Sequence, residues 1–313
     1  MPSQPVNPYP ETALPEHRRA LAALVTVQVL FGSLPVVAQL AFPAFGARGV
    51  AAWRLGAAAL AFHAFARATR MPWLPWREHP RVLLLALLGV SGNQILFLEG
   101  LSRTSALHAA LLTTTIPVLT LVAAVALRRE TLSWRRAAGI PVALVGVLVL
   151  LAQRDPSGHA TLTGDAMIVA NASIYSLYLV LSRDLLARWP TMAVLPWLFT
   201  WGFLSALPLT GLPPLHVPDP QMAGQAWAAL AWVVLGPTIG TYWLNLVALR
   251  VLPSSTVALL IYLQPFVAAS LALPLLGEAP TWAMLAAAGI TFVGVRLATR
   301  REETPTPNSP AGG

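Results

Sequence analysis

The sequence predicts an all-α integral membrane protein with ten transmembrane helices, arranged as an inverted 5+5 structural repeat around a central cavity. Three observations support this prediction: an apolar composition, a series of hydrophobic segments long enough to span a bilayer, and an internal duplication. Of the 313 residues, 56% are hydrophobic and only 10% are charged, against about 25% charged in an ordinary soluble domain. So few charges do not cover a water-exposed surface, and lipid is therefore expected to contact much of the protein.

The duplication has an ungapped offset of 148 residues, which places residues 105–148 on residues 253–296. Leu and Ala matches carry little information in an apolar chain, so the informative positions are those of less common residues. These matched pairs are Pro117 and Pro265, Glu130 and Glu278, Trp134 and Trp282, and Gly146 and Gly294. Four such pairs in one register indicate a duplicated structural unit.

Ten apolar segments follow one another along the chain, each close to the roughly 20 residues that a helix needs to cross a bilayer. The predicted helices cover residues 20–47, 46–66, 82–101, 104–127, 134–153, 164–182, 190–212, 224–249, 253–276 and 279–298. The first repeat unit is then 20–153 and the second is 164–298. The polar, Pro-rich ends, residues 1–19 and 299–313, are predicted to be disordered cytoplasmic tails.

The distribution of arginine predicts the orientation in the membrane. The chain contains no lysine, and with the N-terminus inside the cell sixteen of its arginines fall on the inner side. Only Arg48, Arg103 and Arg154 fall on the outer side. Cytoplasmic loops are enriched in Lys and Arg, so both termini are predicted to be cytoplasmic in a multi-pass protein of the cell inner membrane.

The number of helices in each unit predicts the symmetry of the repeat. Predicted helices 3–5 match predicted helices 8–10, so each repeat unit contains five helices. After an odd number of crossings the chain is on the opposite side of the membrane. The second copy therefore enters the membrane from the opposite side, which gives an inverted repeat. This architecture is common in secondary transporters, where the substrate binds near the midplane between the repeats.

Polar and aromatic side chains mark a candidate cavity face, because polar groups inside lipid-spanning helices are costly unless they face protein or water. Residues three or four apart share a helix face. The candidate substrate-binding residues are Gln28, Asn93, Phe97, Thr114, Asn171, Tyr175, Tyr178, Tyr242, Asn245 and Tyr262. Rings that stack and amides that hold an ammonium suit a zwitterion with a flat side chain. The alternative is that these groups form hydrogen bonds between helices.

Pro117 and Pro265 are predicted hinges, because a proline inside a helix removes a backbone hydrogen bond and loosens the helix. An ordinary kink is the alternative. Arg54 is the one arginine that lies well inside a predicted helix, about a turn and a half from its outer end. It could pair with Glu99, attract a substrate carboxylate or snorkel to the membrane surface. Glu130 is expected to fix a turn between helices.

Several functional classes are disfavoured. No acidic residue lies near the middle of a predicted helix, and Asp165 lies toward an outer end, so facilitated diffusion is predicted rather than proton-driven transport. His63 and His108 have no partners at metal-ligand spacing, so neither a metal nor a cofactor is predicted. The sequence lacks HExxH and GxSxG motifs, so an intramembrane enzyme is the least favoured function. The expected partners are a small-molecule substrate and the lipid bilayer, without nucleic acid, and a monomer is expected.

The repeated order of Pro, Glu, Trp and Gly resembles the EamA-type drug/metabolite transporters over nearly all of residues 20–298. The junctions at residues 98–106 and 247–255 are also similar to that family. Within it, the polar and aromatic residues of predicted helices 3, 6 and 8 most resemble the YddG-like exporters of aromatic amino acids. The resemblance implies alternating access through a central cavity and export of small metabolites, with aromatic amino acids as the expected substrates. The alternative is a multidrug, nucleobase or other small-molecule efflux transporter of the same fold.

Overall fold

The computed structural model describes residues 13–152, 160–217, 219–244 and 260–299. Throughout these residues the chain forms helices joined by turns and short loops, with no β-strand. The prediction of an all-α protein is therefore confirmed for this part of the chain.

The first half of the chain contains one very long helical run and several shorter helices. They are α1 (Ala13–Ala68), α2 (His79–Ala86), α3 (Gly92–Leu101), α4 (Ala106–Thr113), α5 (Ile116–Ala126) and α6 (Trp134–Leu151). A 3-10 turn, Trp76–Glu78, precedes α2, and a π-turn, Leu87–Ser91, connects α2 to α3.

The second half begins with two separate helices instead of one long helical run. The helices of this half are α7 (Leu162–Arg188), α8 (Thr191–Thr210), α9 (Pro220–Val234), α10 (Gln264–Leu276) and α11 (Trp282–Thr299). A π-turn, Leu235–Gly240, follows α9, and a 3-10 turn, Ile261–Leu263, precedes α10. Residues 245–249 of the predicted helix 224–249 and residues 253–259 of the predicted helix 253–276 lie outside the described residues.

Helix α1 contains a sharp change of direction at Gly46. At 1.5 Å per residue, its 56 residues would extend about 84 Å if straight, far beyond the ~30 Å hydrocarbon core of a bilayer. Gly46 adopts φ 63° and ψ 166°, a conformation that glycine accepts far more readily than other residues. The break coincides with the boundary between the first two predicted helices, although α1 begins at Ala13 instead of Ala20.

The helices are long and apolar enough for a multi-pass membrane protein. Within the described residues, 7 helical segments meet the length and hydropathy needed to cross a membrane, the first of them Arg18–Ala68. The apolar helices Arg136–Leu151 and Gln264–Leu276 are shorter. Because the first segment contains the Gly46 break, it is long enough to supply two crossings, and the number of ten crossings stays a prediction.

Equivalent positions of the two halves have the same local structure. The π-turns start at Leu87 and Leu235, which are separated by the repeat offset. Helices α6 and α11 are both 18 residues long and both begin at the matched tryptophans. An extra residue per turn in a π-turn is rare and energetically costly, so its presence at two matched positions is a structural sign of the duplication.

The matched prolines occupy the first turn of α5 and of α10, instead of the middle of a helix as the sequence predicted. Proline is tolerated there because the first backbone N–H groups of a helix have no partner within the helix. The predicted helix 104–127 is accordingly divided into α4 and α5, with the break at Thr114 and Thr115. Pro117 follows this break directly, and Pro265 follows the 3-10 turn at the equivalent place.

Helices α6 and α11 pack very closely through glycine. A Cβ atom added to Gly146 would lie 2.7 Å from the backbone nitrogen of Thr291, and one added to Gly294 would lie 2.6 Å from the Cα atom of Ala143. Ala143 and Thr291 are themselves repeat partners, so the two contacts are equivalent. A Cβ atom on Gly139 would meet Ala298 at 2.8 Å. Successive contacts run forward along α6 and backward along α11: residues 139, 143 and 146 meet residues 298, 294 and 291. The two helices are therefore antiparallel.

The matched glutamates connect different helices. Glu278 accepts hydrogen bonds from two backbone N–H groups in the first turn of α4, at 3.1 and 3.2 Å, and so satisfies part of a helix terminus. Glu130 accepts from Arg136 at 2.9 Å and from Arg183 at 3.4 Å. The hydrogen bond from Arg136 holds the pKa of Glu130 below its usual range. Both contacts tie a loop to a helix.

The two largest clusters of buried apolar residues in the described part of the chain meet along α1. One cluster includes Val50 and Ala51, and the other includes Leu55 and Ala58. Arg54 lies on α1 between them and is only 5% exposed. A charged side chain is therefore placed where the two apolar clusters adjoin.

Replacing Gly294 with leucine is expected to destabilise the protein, because the new side chain would collide with α6. Overpacking of a tight contact typically costs about 1–3 kcal/mol, and the thermal unfolding midpoint of the purified protein in detergent should fall accordingly. Gly289→Leu is the matched control on the same helix, since an added Cβ at Gly289 meets nothing within 4 Å. Equal midpoints for the two variants would contradict the close contact.

Candidate functional site

A cavity of about 340 Å³ lies inside the bundle. Its volume is at the lower end of the roughly 300–1,000 Å³ that is usual for small-molecule sites. Residues of α1, α3, α4, α5 and α7, of both π-turn regions and of the start of α10 line it. Seven of the predicted site residues are among them: Gln28, Asn93, Phe97, Pro117, Asn171, Tyr175 and Tyr242.

Other predicted site residues do not line this cavity. The Thr114 hydroxyl donates to the backbone carbonyl of Leu111 at 2.6 Å, a local bond that turns it toward its own helix. Tyr262 packs edge-on against Phe292, with ring centroids 5.1 Å apart. Asn245 lies outside the described residues.

Tyr178 and Pro265 are the remaining predicted residues that do not line the cavity. The Tyr178 ring stacks on the Tyr175 ring, with centroids 5.6 Å apart and planes at 25°. It also occupies the space in front of Gly89, where an added Cβ would touch the ring. Tyr178 therefore packs against the Tyr175 ring without lining the cavity itself. Pro265 is buried at the start of α10.

Several amides on the cavity wall also hold helices together, as the alternative interpretation of the sequence proposed. Asn171 donates through Nδ2 to the backbone carbonyl of Asn93 at 2.7 Å, which ties α7 to α3. Gln264 donates through Nε2 to Oε1 of Gln28 at 2.7 Å, which joins the two halves of the chain. These side chains both line the cavity and connect its walls.

Arg54 introduces a buried positive charge into the cavity wall. Its Nε donates to Oγ1 of Thr238 at 2.9 Å, and that hydroxyl donates to the Val233 carbonyl at 2.9 Å. Among the described residues, no carboxylate lies within ion-pair distance of this guanidinium. A buried charge is costly unless it is paired, so a cavity ligand with negative charge would be stabilised beside Arg54.

The suggested pairing of Arg54 with Glu99 is wrong. Glu99 instead accepts from Arg48 at 2.8 Å and from Arg103 at 2.5 Å. These two arginines are partly exposed and reach Glu99 from the ends of their helical segments. Arg54 does not snorkel to the surface either, because its side chain is enclosed by the bundle.

Gln94 is a cavity residue that the sequence did not identify. Its Oε1 is buried and has no hydrogen-bond partner among the described residues. A buried carbonyl oxygen of this kind is costly until a donor reaches it, and Gln94 lines the same cavity as Arg54. The residues of the cavity wall therefore include a donor, Arg54, and a buried acceptor that has no partner among the described residues, Gln94 Oε1.

A separate group of buried polar side chains joins α4 to α7 and is not among the residues that line the cavity. His108 Nδ1 lies 3.0 Å from Oδ2 of Asp165, and the Thr104 hydroxyl donates to the other carboxylate oxygen. His108 and Asp165 are 0% and 3% exposed. Among the described residues that line the cavity there is no Asp or Glu. Across the described part of the chain, no group of three or more metal-ligating side chains comes together.

Known proteins similar to this chain are transporters. A probable terminal-alkyne amino-acid exporter of Streptantibioticus cattleyicolor is 31% identical over 299 residues, which cover 92% of this chain and 98% of the exporter. The uncharacterized transporter YyaM of Bacillus subtilis is 24% identical over 237 residues, which cover 74% of this chain and 77% of YyaM. A solved crystal structure matches 90% of this chain and 98% of its own with a TM-score of 0.61. At 22% identity, that likeness concerns the fold alone.

The chain also matches the EamA-like transporter family. Its sequence model matches the chain twice, over residues 18–152 and 162–300. These two segments agree with the two halves that the offset and the paired π-turns define. The chain therefore belongs to the EamA-like transporter family.

Proposed function

We propose that this protein exports amino acids through the central cavity. The observation that carries the proposal is Arg54, a buried cation on the cavity wall without a carboxylate partner among the described residues. An amino acid has one carboxylate, and a guanidinium binds carboxylates through two parallel hydrogen bonds. Gln94 Oε1 supplies an acceptor for the ammonium group of the same substrate.

The proposed substrates have aromatic side chains. Phe31, Phe97, Tyr175 and Tyr242 contribute rings to the cavity wall, and aromatic pairs add about 0.5–1.5 kcal/mol beyond the burial of area. The similar protein of Streptantibioticus cattleyicolor bears a name that refers to amino-acid export, which supports the amino-acid class but not an aromatic side chain. The proposed preference for aromatic substrates rests on the four aromatic rings of the cavity wall.

The other predicted site residues receive roles that follow from their positions. Gln28, Asn93 and Asn171 present amides to the substrate while joining helices. Tyr178 stabilises Tyr175, whereas Thr114 and Tyr262 stabilise the helices around the cavity. Pro117 and Pro265 mark the breaks at which the two halves are proposed to bend.

Alternating access is proposed to use an inverted 5+5 repeat of ten crossings. The antiparallel packing of α6 and α11 supports it, because these matched helices meet in equivalent glycine contacts. A twofold axis relating two antiparallel helices is perpendicular to both of them. If both helices cross the bilayer, that axis lies in the membrane plane, as in transporters with inverted repeats.

The proposed mode of transport is facilitated diffusion by a monomer in the cell inner membrane, with both termini in the cytoplasm. The absence of acidic residues among those lining the cavity supports transport without proton coupling. A multidrug transporter for organic cations is disfavoured by Arg54, because a buried positive charge repels a cationic substrate.

Replacing Arg54 with glutamine is expected to reduce phenylalanine counterflow in proteoliposomes at least about tenfold. Hydrogen bonds to a charged group contribute about 1.5–3 kcal/mol, and about 1.4 kcal/mol corresponds to a factor of ten. Arg54→Lys should retain part of the transport. Arg48→Gln is the control, since it removes an arginine of α1 that lies outside the cavity wall. Phenethylamine, which lacks the carboxylate, should not be transported, and its efficient transport would favour the multidrug alternative.

Replacing Tyr175 with alanine should reduce phenylalanine transport several-fold, because it removes a ring from the cavity wall and frees Tyr178 to move. Asn93→Ala should also impair transport, and both variants should be expressed like the wild type. Tyr262→Ala is the control, because Tyr262 does not line the cavity. Unchanged transport by Tyr175→Ala and Asn93→Ala would contradict the assignment of this cavity.

Transport in proteoliposomes is expected to proceed down a phenylalanine gradient at the same rate with and without an imposed pH gradient. The physical reason is that no carboxylate lines the cavity to carry a proton with the substrate. Concentrative uptake that requires the pH gradient would refute facilitated diffusion. Asp165→Asn should then be tested, because Asp165 and His108 of α4 form a buried acid–base contact between helices.

A further inference from the structure

A second cavity, of about 630 Å³, lies at the end of α1. It shares no lining residue with the transport cavity. Its wall is formed by the last turns of α1, the loop that follows and the first part of α8. The arginine distribution places this end of α1 on the cytoplasmic side of the membrane.

The second cavity is positively charged. Arg67 in the last turn of α1 and Arg70 just beyond it both line the cavity, and none of its lining residues is acidic. Neither arginine forms an ion pair with a carboxylate in the described part of the chain. Glu78, in the same loop region, accepts instead from Arg188 at 3.0 Å. The two guanidinium groups are therefore available to an anion.

Aromatic rings form the other wall of this cavity. The ring centroids of His63 and Trp197 are 5.1 Å apart, and those of Trp73 and Trp197 are 5.5 Å apart. Trp73 is 67% exposed and the neighbouring Trp76 is 73% exposed. Tryptophan is enriched at the level of the lipid headgroups, so this cavity has the composition of a membrane interface.

Arg70 holds an unfavourable backbone conformation at the mouth of the cavity. Its φ is 51°, in the left-handed region that favours glycine. The following backbone N–H, that of Met71, donates to the Ala66 carbonyl at 2.9 Å, which closes the end of α1 in a Schellman arrangement. Glycine would satisfy this backbone with less strain, but it would not supply a guanidinium.

We propose that this second cavity binds the headgroup of an anionic phospholipid of the cytoplasmic leaflet. Arginine binds phosphate oxygens through its planar fork, and basic pockets between transmembrane helices on this side bind acidic headgroups. The exposed tryptophans beside the arginines favour a lipid over free phosphate, because they contact the apolar part of the same molecule. The lipid connects the end of α1 to α8.

The test measures thermal unfolding of the full-length protein in detergent with added phosphatidylglycerol or phosphatidylcholine. Phosphatidylglycerol should raise the unfolding midpoint of the wild type by about 3 °C, whereas phosphatidylcholine should not. Arg70→Gly should abolish the shift, although it relieves the backbone strain and is not expected to impair folding. Arg70→Lys should retain a partial shift because it keeps the charge.

Arg128→Gly is the matched control. Arg128 has φ 55° at the end of α5, and the next N–H, that of Arg129, donates to the Ala124 carbonyl at 2.7 Å. The variant therefore removes the same charge and the same backbone strain at a position that does not line the second cavity. Phosphatidylglycerol should raise its unfolding midpoint as much as that of the wild type. A full shift in Arg70→Gly, or its equal loss in Arg128→Gly, would overturn the site. An equal shift with phosphatidylcholine or with sodium phosphate would overturn its assignment to an anionic lipid.

Discussion

The need to satisfy polar groups inside an apolar bundle governs the structure. In lipid or in a dry protein interior, an unpaired donor or acceptor is costly, and an unpaired charge is more so. Most buried polar side chains accordingly find partners, as in the bond between Gln28 and Gln264 or the contact of His108 with Asp165. The exceptions on the cavity wall, above all Arg54 and Gln94, are where a ligand would restore the missing interactions.

Arginines at the ends of the helices contrast with the arginine in the interior. Arg48 and Arg103 share Glu99, and Arg129 donates to Asp184 at 2.8 Å. Such partly exposed pairs are weak individually because water screens them. Arg54 is enclosed and hydrogen-bonded only through Thr238 among the described residues. The same residue type therefore forms ion pairs at the surface, and in the cavity we propose that it recognises the substrate.

The duplicated sequence produces duplicated local structure, but only some of the contacts are duplicated. The paired π-turns and the paired first-turn prolines show that local sequence directs local geometry. Glu130 and Glu278 nevertheless bind different partners, one an arginine pair and the other the first turn of α4. In the proposed alternating access, the cavity opens to one side of the membrane at a time, and the two repeat units exchange conformations. Different contacts at Glu130 and Glu278 are compatible with one of these two conformations.

The sequence by itself determined the helical class, the repeat offset and seven of the residues that line the cavity, because hydrophobic length and helical spacing are local properties of the chain. Tertiary structure decided which face of each helix meets the cavity. It placed Tyr175 on the wall and Tyr178 behind it, and it turned Thr114 toward its own helix. It also brought Arg54 to Thr238 across 184 positions of sequence and left Gln94 Oε1 without a partner among the described residues. Helical periodicity specifies which residues share a face, but only the packing of distant helices specifies what that face contacts.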